Sequence, residues 1–186
     1  MGYDEKIFKA KANIKARRLW LVFAILLTAN YGTDTANGAY SVSNYIIFVI
    51  LCWLPFVCGD ILLKKKGKDN DRYRLAFVIG YGIFYVFLLC TTTSPIAFTY
   101  ILPIISLIVI FKDEKFMIYC AVANMLSLIA SIAFHIFVLG QNTAIDHKNF
   151  QLQIACLLLC YIGYIMSVRH LTESDAALTE SIKSDL

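Results

Sequence analysis

Charge is scarce in this chain of 186 residues: Asp, Glu, Lys and Arg together make up 16% of it, where a soluble domain carries about a quarter. Hydrophobic residues fill 59%, and mean hydropathy is +0.67. The few charges cluster and leave long uncharged blocks between them. Those blocks are continuously apolar, which excludes a β-barrel, whose strands alternate polar and apolar. Catalytic signatures are missing too. There is no H-E-x-x-H, no G-x-S-x-G, no P-loop and no set of acidic metal ligands, so no enzymatic activity, cofactor or metal is expected. The six cysteines (Cys52, Cys58, Cys90, Cys120, Cys156 and Cys160) lie in or beside apolar runs and form no C-x-x-C pair. They read as small buried hydrophobes, without a disulfide. The N-terminus is long, mixed in charge and lacks a small-residue cleavage site, so it is not a signal peptide. Lys6 stands where a myristoylation signal wants Ser or Thr.

A length of 186 residues allows one domain, and the apolar blocks divide it into membrane spans. A span needs about 20 mostly apolar residues. Six are expected, near 17–36, 44–63, 74–92, 95–111, 116–139 and 151–169. The first is the least apolar, since its clean run from Leu19 to Ala29 ends where Asn30 and Asp34 intrude. The fold class predicted is all-α: a polytopic six-helix transmembrane bundle over 1–170, followed by a C-terminal cytoplasmic helix over 171–186.

Lys and Arg set the direction. Lys6, Lys9, Lys11, Lys15, Arg17 and Arg18 precede the first span. Lys64, Lys65, Lys66, Lys68, Arg72 and Arg74 fill the loop after the second. Lys112 and Lys115 follow the fourth, and Arg169 and Lys183 the sixth. Only Lys148 falls on the other side. Both termini are therefore expected in the cytoplasm, with the protein in the cell inner (cytoplasmic) membrane. The basic loops account for the net charge of +4 and read as anchors for anionic lipid headgroups. A nucleic-acid role for "KKKGK" is rejected, because the loop is short and lies beside a membrane. The external segments, near 37–43, 93–94 and 140–150, are too short for a folded sensory domain. A ligand must meet the helices themselves or arrive from the lipid.

Polar side chains at membrane depth mark function by default. In the fifth span Asn124, Ser127, Ser131 and His135 recur at helical spacing on one face. They serve either as interhelical hydrogen bonds or as the wall of a ligand or proton cavity, with His135 able to sense protons. Near the first span, Asn30, Tyr31, Asp34 and Asn37 are either ordinary interfacial groups or the mouth of a pocket. Thr91, Thr92, Thr93 and Ser94 make a polar turn before Pro95. Pro103 is expected to kink the fourth span beside Tyr100 and Ser106. The candidate ligand-binding set is Asn124, Ser127, Ser131, His135, Tyr100, Asp34 and Asn30. Asp60 is expected to pair with a neighbouring Lys or Arg, and Gly80 and Gly82 to permit close helix contact.

The chain ends on "RHLTESDAALTESIKSDL", which has neither Pro nor Gly. Leu171, Asp175, Leu178, Ile182 and Leu186 follow 4-3-4-4 spacing. That pattern suits the first turns of a dimeric coiled coil fed by the sixth span, against the plainer alternative of a solvated helical tail. With its six spans, nearly bare external face and helical tail, the chain resembles the N-terminal membrane module of bacterial methyl-accepting chemotaxis proteins. The resemblance implies a receptor module that passes a ligand or membrane signal through the sixth span to a cytoplasmic output helix. Its partners would be the lipid bilayer, a small-molecule ligand and a second copy of the chain. The other function class considered is a small membrane transporter or substrate-binding subunit.

Overall fold

A computed structural model describes residues 2–92 and 94–184; Thr93 and Leu186, named above, lie outside the described residues. The order is α1 (Gly2–Ala36), α2 (Val42–Lys66), α3 (Arg72–Thr91), a 3₁₀ segment (Ala97–Ile101), α4 (Leu102–Ile108), a second 3₁₀ segment (Val109–Phe111), α5 (Glu114–Phe137) and α6 (Ala144–Ser184). Among the described residues there is no strand. The fold is all-α. Two compact units divide the chain between Phe87 and Leu88, inside α3.

Four helices are long and apolar enough to cross a bilayer: α2, α3, α5 and α6. They carry the protein's membrane character, and their outer surfaces show it. On α2 only Phe48, Cys52, Gly59 and Leu63 are buried. Their spacing selects one face, while Ile46, Ile47, Ile50, Leu54, Val57 and Ile61 are exposed. An exposed apolar face of that extent suits lipid rather than water. The other two expected spans look different. Helix α1 is a single 35-residue helix that starts well before residue 17, and it is not among the four. The region expected as the fourth span is a shorter apolar helical stretch, Ala97–Phe111, that is not α-helical throughout. It is two 3₁₀ segments around a seven-residue α-helix. Pro103 does not kink the interior of a helix; it sits in the first turn of α4, where its missing N–H has no intrahelical partner to lose.

In the first unit α1 packs on α2. The indole N–H of Trp53 donates to Thr28 Oγ1 at 2.9 Å. Arg17 pairs with Asp60 and lies 5.7 Å from the centre of the Phe56 ring. Asp60 also takes Lys64 at 3.0 Å, one helical turn on. At the same end the buried Asn13 amide donates to the carbonyls of Lys68 and Asn70, at 2.9 and 3.0 Å. Aromatic rings fill the interior in sequence: Tyr40, Tyr31, Phe48, Phe84, Tyr81, Trp20, Phe77 and Tyr73 each contact the next, with centroids 4.2 to 6.5 Å apart. Of the two glycines on α3, Gly80 lies hard against Pro55, whereas Gly82 meets open space.

In the second unit α5 and α6 pair. The buried side chains of α5 include Met117, Cys120, Asn124, Leu128, Ser131 and His135, a single stripe three or four residues apart. On α6, Gln153, Leu157, Tyr161 and Val168 make the matching stripe. Beyond Val168 the helix continues to Ser184 with nearly every described side chain exposed. Two ion pairs hold its continuation beside α5: Arg169 with Glu114, the first residue of α5, and Asp175 with Lys112 in the turn before it. Asp175, one position of the expected seam, is thus engaged within its own chain.

Candidate functional site

The polar stripe of α5 splits into two parts with different surroundings. Asn124 is buried and donates through its side-chain amide to the hydroxyl of Tyr161 on α6. This joins the two helices in the middle of their apolar length. Ser127 is half-buried and turns back to its own helix, donating to Ala123 O at 2.9 Å. Neither residue lines the cavity that the rest of the stripe reaches. For Asn124 the interhelical role fits: a double-mutant cycle of Asn124→Ala and Tyr161→Phe should return a coupling of about 0.6 kcal/mol, and at most about 2 kcal/mol. Thermal unfolding in detergent of the two single variants and the double variant measures it.

Ser131 and His135, one and two turns further on, do line a cavity. Its volume is about 80 Å³, room for a few waters or a ligand of a few heavy atoms. Three stretches build it: the end of α3 and the turn after it (Leu89, Thr92, Ser94, Pro95), the last turns of α5, and the start of α6 (Asp146, Asn149, Phe150, Gln153). Each stretch is fixed by its own chemistry. Thr143 and Asp146 form a reciprocal capping box, with Asp146 N donating to Thr143 Oγ1 at 3.2 Å and Thr143 N donating to Asp146 Oδ2 at 2.9 Å. This starts α6 at Ala144, seven residues before the apolar run expected from 151. The extra turns carry Asp146, Asn149 and Phe150 to the cavity wall. Gln153 donates to Pro95 O at 3.0 Å and fixes the α3–α4 turn on α6.

His135 is the centre of this arrangement. Its Nε2 lies 2.7 Å from Leu89 O, and its Nδ1 lies 2.9 Å from the Gln141 side-chain amide. A carbonyl only accepts, so Nε2 carries a proton. Nδ1 then has two ways to be satisfied. In the neutral ring it accepts from the Gln141 NH₂; in the charged ring it donates to Oε1. A half-turn of the amide converts one into the other. His135 is buried, and both of its ring nitrogens have a partner.

The remaining expected residues sit elsewhere. Tyr100 is half-buried in the first 3₁₀ segment and does not line this cavity. Asn30 and Asp34 belong to the first unit, Asn30 exposed and Asp34 half-buried. A groove along their part of α1 is lined by Ile25, Thr28, Ala29, Gly32, Thr33, Ala36, Tyr45 and Trp53, not by either of them. Tyr31 is buried, stacked between Tyr40 and Phe48. Gln141, Asp146, Asn149 and Gln153 are cavity residues that the sequence reading does not single out. The T-x-x-D pattern at 143–146 is the available signal, since a capping box marks a helix start. Compared with protein-family models, curated proteins and solved structures, the chain matches none of them.

Proposed function

We propose that this chain is a membrane-embedded sensory module, in which occupancy of the His135 cavity is relayed along α6 to a cytoplasmic output. One observation carries the reading: α6 is an unbroken helix of 41 residues that forms part of the cavity wall at one end and an exposed polar rod at the other. At 1.5 Å per residue it is about 60 Å long, twice the hydrocarbon core of about 30 Å. A shift of its first turns must therefore be transmitted to, or absorbed before, its last ones. In this reading α1 and the Ala97–Phe111 segment are the two further crossings. The 3₁₀ parts rise about 2 Å per residue, so the segment reaches roughly 26 Å, close to the core thickness. With six crossings both termini lie on one side, and the Lys and Arg gathered before the first crossing and in the 64–74 loop put that side in the cytoplasm and the protein in the inner membrane. The exposed Leu171, Leu178 and Ile182 supply the apolar face through which two copies pair, as in a chemotaxis-type receptor.

The ligand is a small polar molecule, because the cavity is small and walled by His, Gln, Asn, Ser, Thr and Asp side chains. No catalytic chemistry is assigned to it. Thermal unfolding of the detergent-solubilised protein against a panel of small amides, amines, carboxylates and alcohols tests the assignment. At least one compound should raise Tm for the wild type and not for Ser131→Leu, whose side chain fills the cavity. Compounds that act equally on both, or on neither, refute it.

A further inference from the structure

The first unit contains a second site, independent of the sensory reading, where α1 and α2 meet at their basic ends. Arg17, Asp60, Leu63, Lys64, Gly67 and Lys68 line an open groove of about 490 Å³. We infer that this groove binds the phosphate of an anionic phospholipid headgroup.

Three features support this. The first is charge. Arg17, Lys64 and Lys68 face one carboxylate, Asp60, so the groove is net positive. Asp60 does not cancel it so much as aim it, since its two oxygens separately hold Arg17 Nε and Lys64 Nζ. A guanidinium has five N–H donors, and the Asp60 contact uses one. The second is preorganisation. The buried Asn13 side chain binds the carbonyls of Lys68 and Asn70, which locks the 67–70 turn against α1. Gly67 has φ +93°, and a Cβ there would come 2.9 Å from Asp69 Oδ1. Glycine permits the backbone conformation of the turn that presents Lys68. The third is depth. Leu63 is buried at the groove floor, and the apolar surface of α2 begins at Ile61, so the cations stand where an acyl chain gives way to its headgroup. A free phosphate would use the same cations but gain nothing from the adjoining apolar face, which favours the lipid.

Native mass spectrometry and thermal unfolding of the full chain in neutral detergent test this with three probes: phosphatidylglycerol, phosphatidylcholine and glycerol 1-phosphate. Phosphatidylglycerol should be retained at least about tenfold better than phosphatidylcholine. Lys64→Gln with Lys68→Gln, both exposed positions, should weaken it about thirtyfold, from the usual contribution of each basic group near an anionic surface. Lys115→Gln, an exposed cation in the second unit, should leave it unchanged. Equal retention of the two lipids overturns the site, as does an unchanged affinity in the double variant. Protection by glycerol 1-phosphate equal to that by phosphatidylglycerol overturns the lipid assignment in favour of free phosphate.

Discussion

Replacing Gly80 by alanine should lower stability by roughly 2–3 kcal/mol, and replacement by valine should prevent folding of the first unit. An added Cβ at Gly80 would fall 2.3 Å from Pro55 Cβ and 2.9 Å from its Cγ. Real Cβ atoms do not approach so closely, and the neighbour is a rigid ring fixed to its own backbone. The strain has no side-chain rotation through which to escape, so α2 and α3 must move apart. That movement loosens the aromatic packing on both sides, where Phe84 meets Phe48 and Tyr81 meets Trp20. The matched control is Gly82→Ala, two residues away on the same helix, where an added Cβ meets nothing within 4 Å. It should be neutral or slightly stabilising, because alanine is the better helix former. Thermal unfolding in one detergent measures both. Equal effects at the two positions would mean that α2 and α3 are not packed through Pro55.

The second large effect concerns α6. Proline at Glu173 removes an N–H from the helix and sets its ring against the carbonyl of Arg169, at a cost of about 3 kcal/mol or more. Position 173 is exposed and lies past the buried Val168, so the packed spans should survive while the rod beyond them is disconnected. Glu173→Pro should leave the thermal midpoint of the bundle within a degree or two of wild type. Far-ultraviolet circular dichroism should lose about the last ten residues of helix, and a reporter on Ala177 should become mobile. Loss of the whole fold would mean that the tail stabilises the spans, not that it transmits from them.

How much of this is legible in the sequence varies by element. The four long apolar runs of α2, α3, α5 and α6 are readable because a bilayer crossing demands continuous hydrophobicity over about 20 residues, and each run supplies it. Lys112, Glu114 and Arg169 are readable as charges at the ends of apolar runs. Their ion pairs are not, since those depend on how α5 and α6 meet. The stripe of Asn124, Ser127, Ser131 and His135 falls on one face by spacing alone, and three of its four members are buried. Its division is hidden in the sequence. Whether Asn124 faces a void or Tyr161 depends on a residue 37 positions away. The Ala97–Phe111 region is apolar and helical as its composition suggests; that its two ends are 3₁₀ is not visible in the sequence. The cavity residues on α6 escape notice because the apolar run dominates the pattern, whereas the capping box starts the helix earlier.

The central claim is that the cavity and the tail belong to one relay. The direct measurement is double electron–electron resonance between nitroxides on Ala177 of two copies in proteoliposomes, for the wild type, Ser131→Leu and Ser131→Leu with Glu173→Pro. Filling the cavity should move the first turns of α6, so the wild-type distance distribution should shift or change its peak ratio in Ser131→Leu. The break at 173 should abolish that difference. If Ser131→Leu leaves the Ala177 distribution unchanged while lowering thermal stability, the cavity is packing and nothing more, and the proposed relay is contradicted.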